Sequence, residues 1–294
     1  MRFVAFDDAG RAKLAVRDGD CAVDVGSLGA DLPNDLLEVV RGGEEAFRRL
    51  EQRFRERRGD VAARPLAELR LLPPIARPGK IVCLGLNYVE HAAEGGHAKP
   101  DYPSIFLRSA TSLVGHGAPM ILPSVSDRLD YEAELVAVVG RTGRHVRRED
   151  ALALIAGYSC FNDGSIRDYQ HRTAQWTVGK NFDRTGAFGP WFVTADELPP
   201  GGRGLEIESR LNGKVMQHAN TRDMIFAVDE TVALLTECMT LEPGDLLVMG
   251  TPGGVGHTRK PPVFMKAGDT IEVEIERIGI LRNVVQAEAQ PSRD

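Results

Sequence analysis

The stretch "LDYEAELVAVVG", residues 129–140, sets two glutamates, Glu132 and Glu134, at the mouth of an apolar run. Side chains two apart on a strand share a face, so Ala133 points away and the two carboxylates sit side by side. The run behind them, residues 135–139, is apolar and β-branched enough to form a buried strand, which carries the pair inward. Burying two unpaired carboxylates is prohibitive. One proton, a pair of basic residues or a bound cation must compensate, and no Lys or Arg stands between Arg128 and Arg141. The other reading is a polar-faced edge strand with both carboxylates in water.

Around this stretch the chain reads as a mixed α+β protein. Residues 1–75 hold short strand-like runs ("RFVAF", "KLAV", "CAVDV") and then helical stretches up to "LAELRLL". "LPPIARPGK" brings three prolines and a glycine and marks a connection. The expected division is a small N-terminal domain over 1–75 and a catalytic domain over 76–294. In the second part "KIVCLGLNY", "SIFLR", "ELVAVVG", "IAGYSCFND", "LEIESRLNG", "DLLVMGTP" and "TIEVEIERIG" are strand-like, with helical candidates at 149–155, 165–172 and 228–239. Strands outnumber helices at irregular spacing, which suits a curled sheet better than regular βαβ repetition.

Composition excludes several classes. Of 294 residues, 43% are apolar and 27% charged, enough for a sizeable core and without low-complexity tracts. A net charge of -6 argues against a nucleic-acid partner. The one basic cluster, "FRRLEQRFRERR", has Phe47, Leu50 and Phe54 at helical spacing and reads as an amphipathic surface helix. No apolar run is long enough to span a membrane and the first residues lack a signal-peptide layout, so the sequence reads as cytoplasmic. Four scattered cysteines without a Cys-x-x-Cys give no zinc knuckle or disulfide framework.

Four further segments carry chemistry. "CFNDGSIRDYQ" supplies Asp163 at a strand-to-helix junction, either as a helix N-cap or as a third hard oxygen ligand beside Glu132 and Glu134, a set suited to Mg²⁺, Mn²⁺ or Ca²⁺. "GLNYVEHAAEGG" places His91 and Glu94 three apart, so that on a helical turn Glu94 could orient His91 as a general base, with flanking glycines letting the segment move as a lid. The bland reading is a solvated loop. In "WTVGKNFD", Lys180 is either an anion-binding ammonium or an ordinary surface lysine. "GDLLVMGTPGGVG" runs a strand into a loop with Thr251 and four glycines, able to present backbone N–H groups to a carboxylate or phosphate; it is no nucleotide motif.

Taken in order, "GLNYVEHAAE", "DYEAELVAVVGRTGR", "GYSCFNDGSIRDYQ", "VGKNFDRTGAFGPW", "LNGKVMQHANTRDMIF", "LEPGDLLVMGTPGGVG" and "AGDTIEVEIERIG" resemble the fumarylacetoacetate hydrolase family over nearly all of residues 80–279. The resemblance implies a mixed β-roll with a smaller N-terminal domain, assembled as a homodimer. It implies a divalent cation, Mg²⁺ or Mn²⁺, on Glu132, Glu134 and Asp163. His91 and Glu94 would be the water-activating dyad and Lys180 a catalytic cation, while Arg167, Gln170 and Thr251 would meet the substrate. Ile166 and Asn181 depart from the family pattern, which leaves pocket shape and substrate identity open.

The reaction so implied is hydrolysis of the C3–C4 bond of a 2,4-dioxo acid, giving pyruvate and a carboxylic acid. Oxaloacetate decarboxylation and 2-hydroxydienoate isomerisation are alternatives on the same site, and a non-enzymatic keto-acid binder is the outside one. Retention of His91 and Glu94 favours hydrolysis or decarboxylation.

Overall fold

In a computed structural model, which describes residues 1–94, 98 and 100–289, the stretch at 129–140 lies at the centre of the molecule. The Ala133–Val139 strand is buried along its whole length. It pairs antiparallel with Ile155–Asp163 on one side and Leu246–Val248 on the other, so the edge-strand reading is wrong. These strands belong to a twelve-stranded mixed sheet among the described residues. Its path runs Ala63–Pro65, Cys21–Asp24, Arg11–Asp18, Arg2–Asp8, Gly186–Thr194, Ile155–Asp163, Ala133–Val139, Leu246–Val248, Ile81–Gly85 and Ser104–Arg108. A five-stranded sheet runs Lys214–Asn220, Glu206–Leu211, Thr270–Ile275, Gly279–Ala287 and Met120–Leu122. The α+β expectation holds.

Alternation along the central strand decides what lies on each face. Leu135, Ala137 and Val139 enter a core shared with Ile207, Val273, Ile275 and Leu281 of the smaller sheet and with the Val228–Cys238 helix. Val136 and Val138 enter a second core with Phe161, Phe188 and Val248, closed by Leu36, Val39, Val40 and Leu50 from the N-terminal helices. Each such Val or Leu contributes roughly 1.5–3 kcal/mol by leaving water. By the same period Glu132 and Glu134 share the face of Val136 and Val138, beyond the cover of those helices.

The first 75 residues join this sheet, because Arg2–Asp8 pairs antiparallel with Gly186–Thr194. The amphipathic stretch is the Gly43–Arg57 helix, with Leu50 buried and the Phe47 ring 5.7 Å from that of Phe3. Three expectations need correction. The stretch up to "LAELRLL" ends in the strands Ala63–Pro65 and Arg70–Leu71 around one 3₁₀ turn. Residues 148–154 are 3₁₀, not α-helical. Of 165–172, Ser165–Ile166 is strand and only Arg167–Gln170 is helical.

The Gly186–Thr194 strand, not among the strand-like runs named above, carries Pro190 within it. The ladder to Ile155–Asp163 shifts register between Tyr158 and Cys160, and Pro190 lies in that bulge, where no ladder N–H is needed. No helix among the described residues is long and apolar enough to cross a membrane.

Candidate metal and active site

The register that buries the central strand also assembles the acidic cluster. Asp163 N donates to Glu132 O at 2.9 Å, which sets Asp163 directly across from Glu132 and on its face. One oxygen from each of Glu132, Glu134 and Asp163 lies within 4.8 Å of the others, and all three residues are buried. Asp163 ends its strand, and the Arg167–Gln170 helix has no side-chain cap, so the N-cap reading fails.

The backbone bearing these groups is pinned by side chains from elsewhere. Glu132 N donates to Asn162 Oδ1 at 2.9 Å and Ala133 N to Gln217 Oε1 at 3.0 Å. Thr251 Oγ1 donates to Ala133 O at 3.0 Å and accepts from Gln217 Nε2 at 2.7 Å. Thr251 lines the cavity, but with its proton committed it meets a ligand only as an acceptor.

Basic residues distant in sequence answer the buried charge. Lys180, 2% exposed, lies between two of the carboxylates, with Nζ 2.5 Å from Glu132 Oε2 and 2.6 Å from Asp163 Oδ2. The surface-lysine reading is therefore wrong. Arg167 Nη2 lies 2.6 Å from Glu132 Oε1 but has no aligned hydrogen bond, while Nε donates to Asp130 Oδ2 at 2.8 Å and Nη1 to Gln170 Oε1 at 2.8 Å. With its oxygen fixed by Arg167, the Gln170 amide keeps its NH₂ as the free donor. Arg108 Nη1 donates to Asp163 Oδ1 at 2.5 Å.

Protonation follows from this layout. Burial works against the charged form of Glu132, but Arg167 and Lys180 hold its pKa well below the usual range. Burial, then Asp163 and Glu132, push Glu134 well up; Gly250 N–H, at 2.5 Å, opposes this. Burial also works against the charged form of Lys180, and Asp163 and Glu132 reverse it, so the ammonium persists. His91 is pushed below its ordinary 6.5 by burial, with Arg167 and Lys180 adding to the effect, and is neutral at neutral pH.

The cluster fits a divalent cation. Four buried carboxylates, Asp130, Glu132, Glu134 and Asp163, face three buried cations, Arg108, Arg167 and Lys180, among the described residues. With all four ionised, one negative charge is uncompensated in a low dielectric, and either a proton on Glu134 or a bound cation answers it. The donors are all carboxylate oxygens, which suits Mg²⁺ or Mn²⁺ and not zinc.

A cavity of about 110 Å³ opens on this cluster and brings together His91, Glu132, Glu134, Arg167, Gln170, Lys180 and Thr251. His91 Nδ1 is buried and has no partner among the described residues. Glu94 does not join them, and the expected orientation of His91 by Glu94 is not made. Both Glu94 carboxylate oxygens instead accept from Gly254 N, at 2.9 and 3.1 Å, because the glycine loop offers an unpaired N–H there. Gly95 and Gly96 of the expected lid lie outside the described residues. The loop does present N–H groups to carboxylates, but to the protein's own: Gly250 to Glu134, Gly254 to Glu94 and Gly256 to Asp130.

Residues 80–286 match the fumarylacetoacetate hydrolase C-terminal family. The chain belongs to the fumarylacetoacetate hydrolase family. The mitochondrial oxaloacetate tautomerase Fahd2a of Rattus norvegicus is 37% identical over 268 residues, covering 91% of this chain and 84% of its own. Fumarylacetoacetate hydrolase from Exiguobacterium antarcticum superposes with a TM-score of 0.84 at 35% identity, covering 98% of this chain and 100% of its own. Maleylpyruvate hydrolase from Sphingobium sp. SYK-6, solved with manganese(II) and pyruvate, gives 0.82 at 29% identity over 98% of this chain and 100% of its own. The two departures from the family pattern stand away from the cavity. Ile166 is core, and Asn181 donates to Leu107 O at 2.9 Å and Thr177 O at 2.7 Å.

Sequence reasoning missed Arg108, Asp130, Asn162 and Gln217. Asp130 belongs to the opening stretch and could have been found there as a third acid. It accepts from Arg167 Nε, Gly256 N and His257 N, each at 2.8 Å.

Proposed function

We propose that this protein is a divalent-metal-dependent enzyme that hydrolyses the C3–C4 bond of a 2,4-dioxo acid, releasing pyruvate and a carboxylic acid. The observation that carries the reading is a neutral, buried His91, its Nδ1 without a partner among the described residues, in one cavity with Glu132 and Glu134 of the three-carboxylate cluster. Mg²⁺ or Mn²⁺ on Glu132, Glu134 and Asp163 would polarise the 2-oxo group as a Lewis acid.

The other tasks fall to the chain. His91, able to accept a proton at neutral pH, takes one from the attacking water, a role that supplies roughly 10²- to 10⁴-fold. The free amide N–H of Gln170 and the Lys180 ammonium are donors for the oxyanion formed at C4, each worth about 10²- to 10³-fold. Arg167, held by Asp130 and with Nη2 free of an aligned bond, receives the C1 carboxylate. Cleavage transfers the C3–C4 electron pair to C3, and protonation there completes pyruvate. The maleylpyruvate hydrolase neighbour, solved with manganese(II) and pyruvate, supports the cation and product classes.

A second reading, proton transfer at C3 of oxaloacetate, is favoured by the similarity to Fahd2a and by Glu94 sitting on Gly254 and not on His91. One base without an orienting acid suffices for tautomerisation. The assay that decides is Mg²⁺-dependent pyruvate release from acylpyruvates and fumarylpyruvate, beside the ultraviolet decay of enol oxaloacetate. Tautomerisation without pyruvate release would replace the hydrolase assignment. A homodimer is part of the proposal, and sedimentation velocity tests it.

A further inference from the structure

Past Arg167 lies a second hollow, of about 360 Å³, lined by Arg128, Arg167, Asp168, His171 and His257. Arg167, His171 and His257 line both it and the inner cavity, so the two adjoin. The steps above use neither histidine. His171 caps the end of the Arg167–Gln170 helix, and His257 lies in the glycine loop with its backbone N–H on Asp130 Oδ2 at 2.8 Å. Their ring centroids are 5.1 Å apart with planes at 31°. Elements far apart in sequence thus set two imidazoles against each other at the mouth of the site.

The balance of groups there is one-sided. Two guanidinium groups and two imidazoles face one lining carboxylate, Asp168, whose Oδ1 already accepts from Ser126 Oγ at 2.6 Å. Asp130, beneath the loop, is saturated by Tyr131 N, Gly256 N, His257 N and Arg167. Arg128 has no ion pair among the described residues. The hollow is no second metal site, since its histidines form no ligand cluster with a carboxylate among those residues. Burial, then His257, lowers the pKa of His171, and burial, then Arg167, lowers that of His257, so each ring is a neutral N–H donor at neutral pH. Two guanidinium groups and two imidazole N–H donors against a single lining carboxylate, with one of the guanidinium groups shared with the inner cavity, describe a receptor for an anion.

We propose that His171, His257 and Arg128 form a second carboxylate subsite, which holds the far end of a dicarboxylic 2-oxo acid whose near end lies in the inner cavity. The inference rests on the 2-oxo acid reading above. A carboxylate there replaces water at both imidazole N–H groups and pairs with Arg128, and the Arg167 guanidinium between the two hollows stabilises both ends.

The test is calorimetry on the full chain loaded with Mg²⁺, using two unreactive 2-oxo acids of equal carbon number: 2-oxoadipate and 2-oxohexanoate. Wild type is expected to bind 2-oxoadipate at least about tenfold tighter, the size of one charged hydrogen bond. That preference should fall below about threefold in the double variant His171→Ala/His257→Ala, and in part in Arg128→Gln. Equal affinities in wild type, or a preference that survives the double variant, would overturn the subsite. The wild-type comparison keeps the test decisive even where a variant folds poorly. Pyruvate release from fumarylpyruvate separates the two levels: a 2-oxoadipate preference without turnover supports the subsite and removes the hydrolase assignment, whereas turnover without the preference does the reverse.

Discussion

Arg108 and Asp163, 55 residues apart in sequence, form an ion pair in which both side chains are wholly excluded from water, with Nη1 and Oδ1 2.5 Å apart. The guanidinium uses four of its five N–H groups, donating also to Gly164 O at 3.2 Å, Ser112 Oγ at 3.1 Å and Thr185 Oγ1 at 3.0 Å. By holding one oxygen of Asp163, Arg108 leaves Oδ2 turned toward Lys180 and Glu132. Arg108→Gln removes one of the two cations on the buried Asp163 and leaves it with Lys180 alone, so unfolding stability should fall by up to about 3 kcal/mol. Arg108→Lys keeps the charge but loses the fork, and Mn²⁺ affinity should fall roughly 10- to 100-fold, as for other groups that orient a ligand. Calorimetry on a folded Arg108→Lys with unchanged Mn²⁺ affinity would remove the positioning role.

Metal binding itself should show as stability. A cation that binds only the folded chain stabilises it by about 2.7 kcal/mol at one hundred times Kd. Tm should therefore rise with Mg²⁺ or Mn²⁺ in wild type, and EDTA should reverse both this rise and turnover. Glu132→Ala removes one of the three clustered carboxylates, so its Tm should not respond to either ion. A full thermal shift in that variant would reject the ligand assignment.

His91 and Glu94 were expected to act as one unit, yet Glu94 caps Gly254 N–H while His91 Nδ1 has no partner among the described residues. His91→Ala should lower kcat at least about 10²-fold while Mg²⁺ affinity stays within a few-fold. Glu94→Gln keeps an oxygen for the Gly254 N–H, and its loss of kcat should be far smaller. Equal losses in the two variants, measured under saturating substrate, would instead place Glu94 on His91 in the working complex.

How far the sequence reveals this site depends on where each partner enters. Glu132, Glu134 and the core positions of the central strand are legible because one period-two pattern fixes burial and facing together. Asp163 and Lys180 become members only through tertiary register. The absence of a basic residue between Arg128 and Arg141 brought a bound cation into consideration beside a proton or a basic pair, and Lys180, Arg167 and Arg108 supply much of the compensation from other segments. Arg108 ends the strand "SIFLR", where nothing in its neighbours marks it as buried. The strand holding Pro190 is not legible as such, because only the tertiary bulge removes the hydrogen bond proline cannot make.

Gly250 is set by its backbone. Its φ is +86°, its N–H donates to Glu134 Oε2 at 2.5 Å, and an added Cβ would lie 2.6 Å from Asn87 Cβ. Asn87 cannot yield, since it bonds Phe226 O at 3.0 Å, Met249 O at 2.7 Å and Phe226 N at 2.7 Å. Gly250→Ala should cost at least about 1–3 kcal/mol from the left-handed φ, with the clash in addition. It should also weaken Mn²⁺ binding, because the N–H that aims Glu134 moves. Chemical denaturation and calorimetry on the one variant check both, and a neutral result would mean that the loop readjusts freely.

Acid sensitivity should come in part from Glu272, in the smaller sheet away from the site. Arg210 Nε lies 2.8 Å from Oε2 and Arg282 Nη2 2.6 Å from Oε1. Burial raises the pKa of Glu272, but the two arginines outweigh it and hold the carboxyl below its ordinary 4.5. A carboxyl with a depressed folded pKa stabilises the protein above the unfolded value, and that stability is lost as pH falls through the folded one. Glu272→Gln should therefore lower stability at pH ~7 by about 1 kcal/mol or less, since Arg282 is largely exposed and Arg210 keeps Glu208 and Glu274 as partners. The gap from wild type should close as the pH drops below the ordinary carboxylate range. A gap in urea midpoints that stays constant with pH would mean that Glu272 acts through packing and not through its charge.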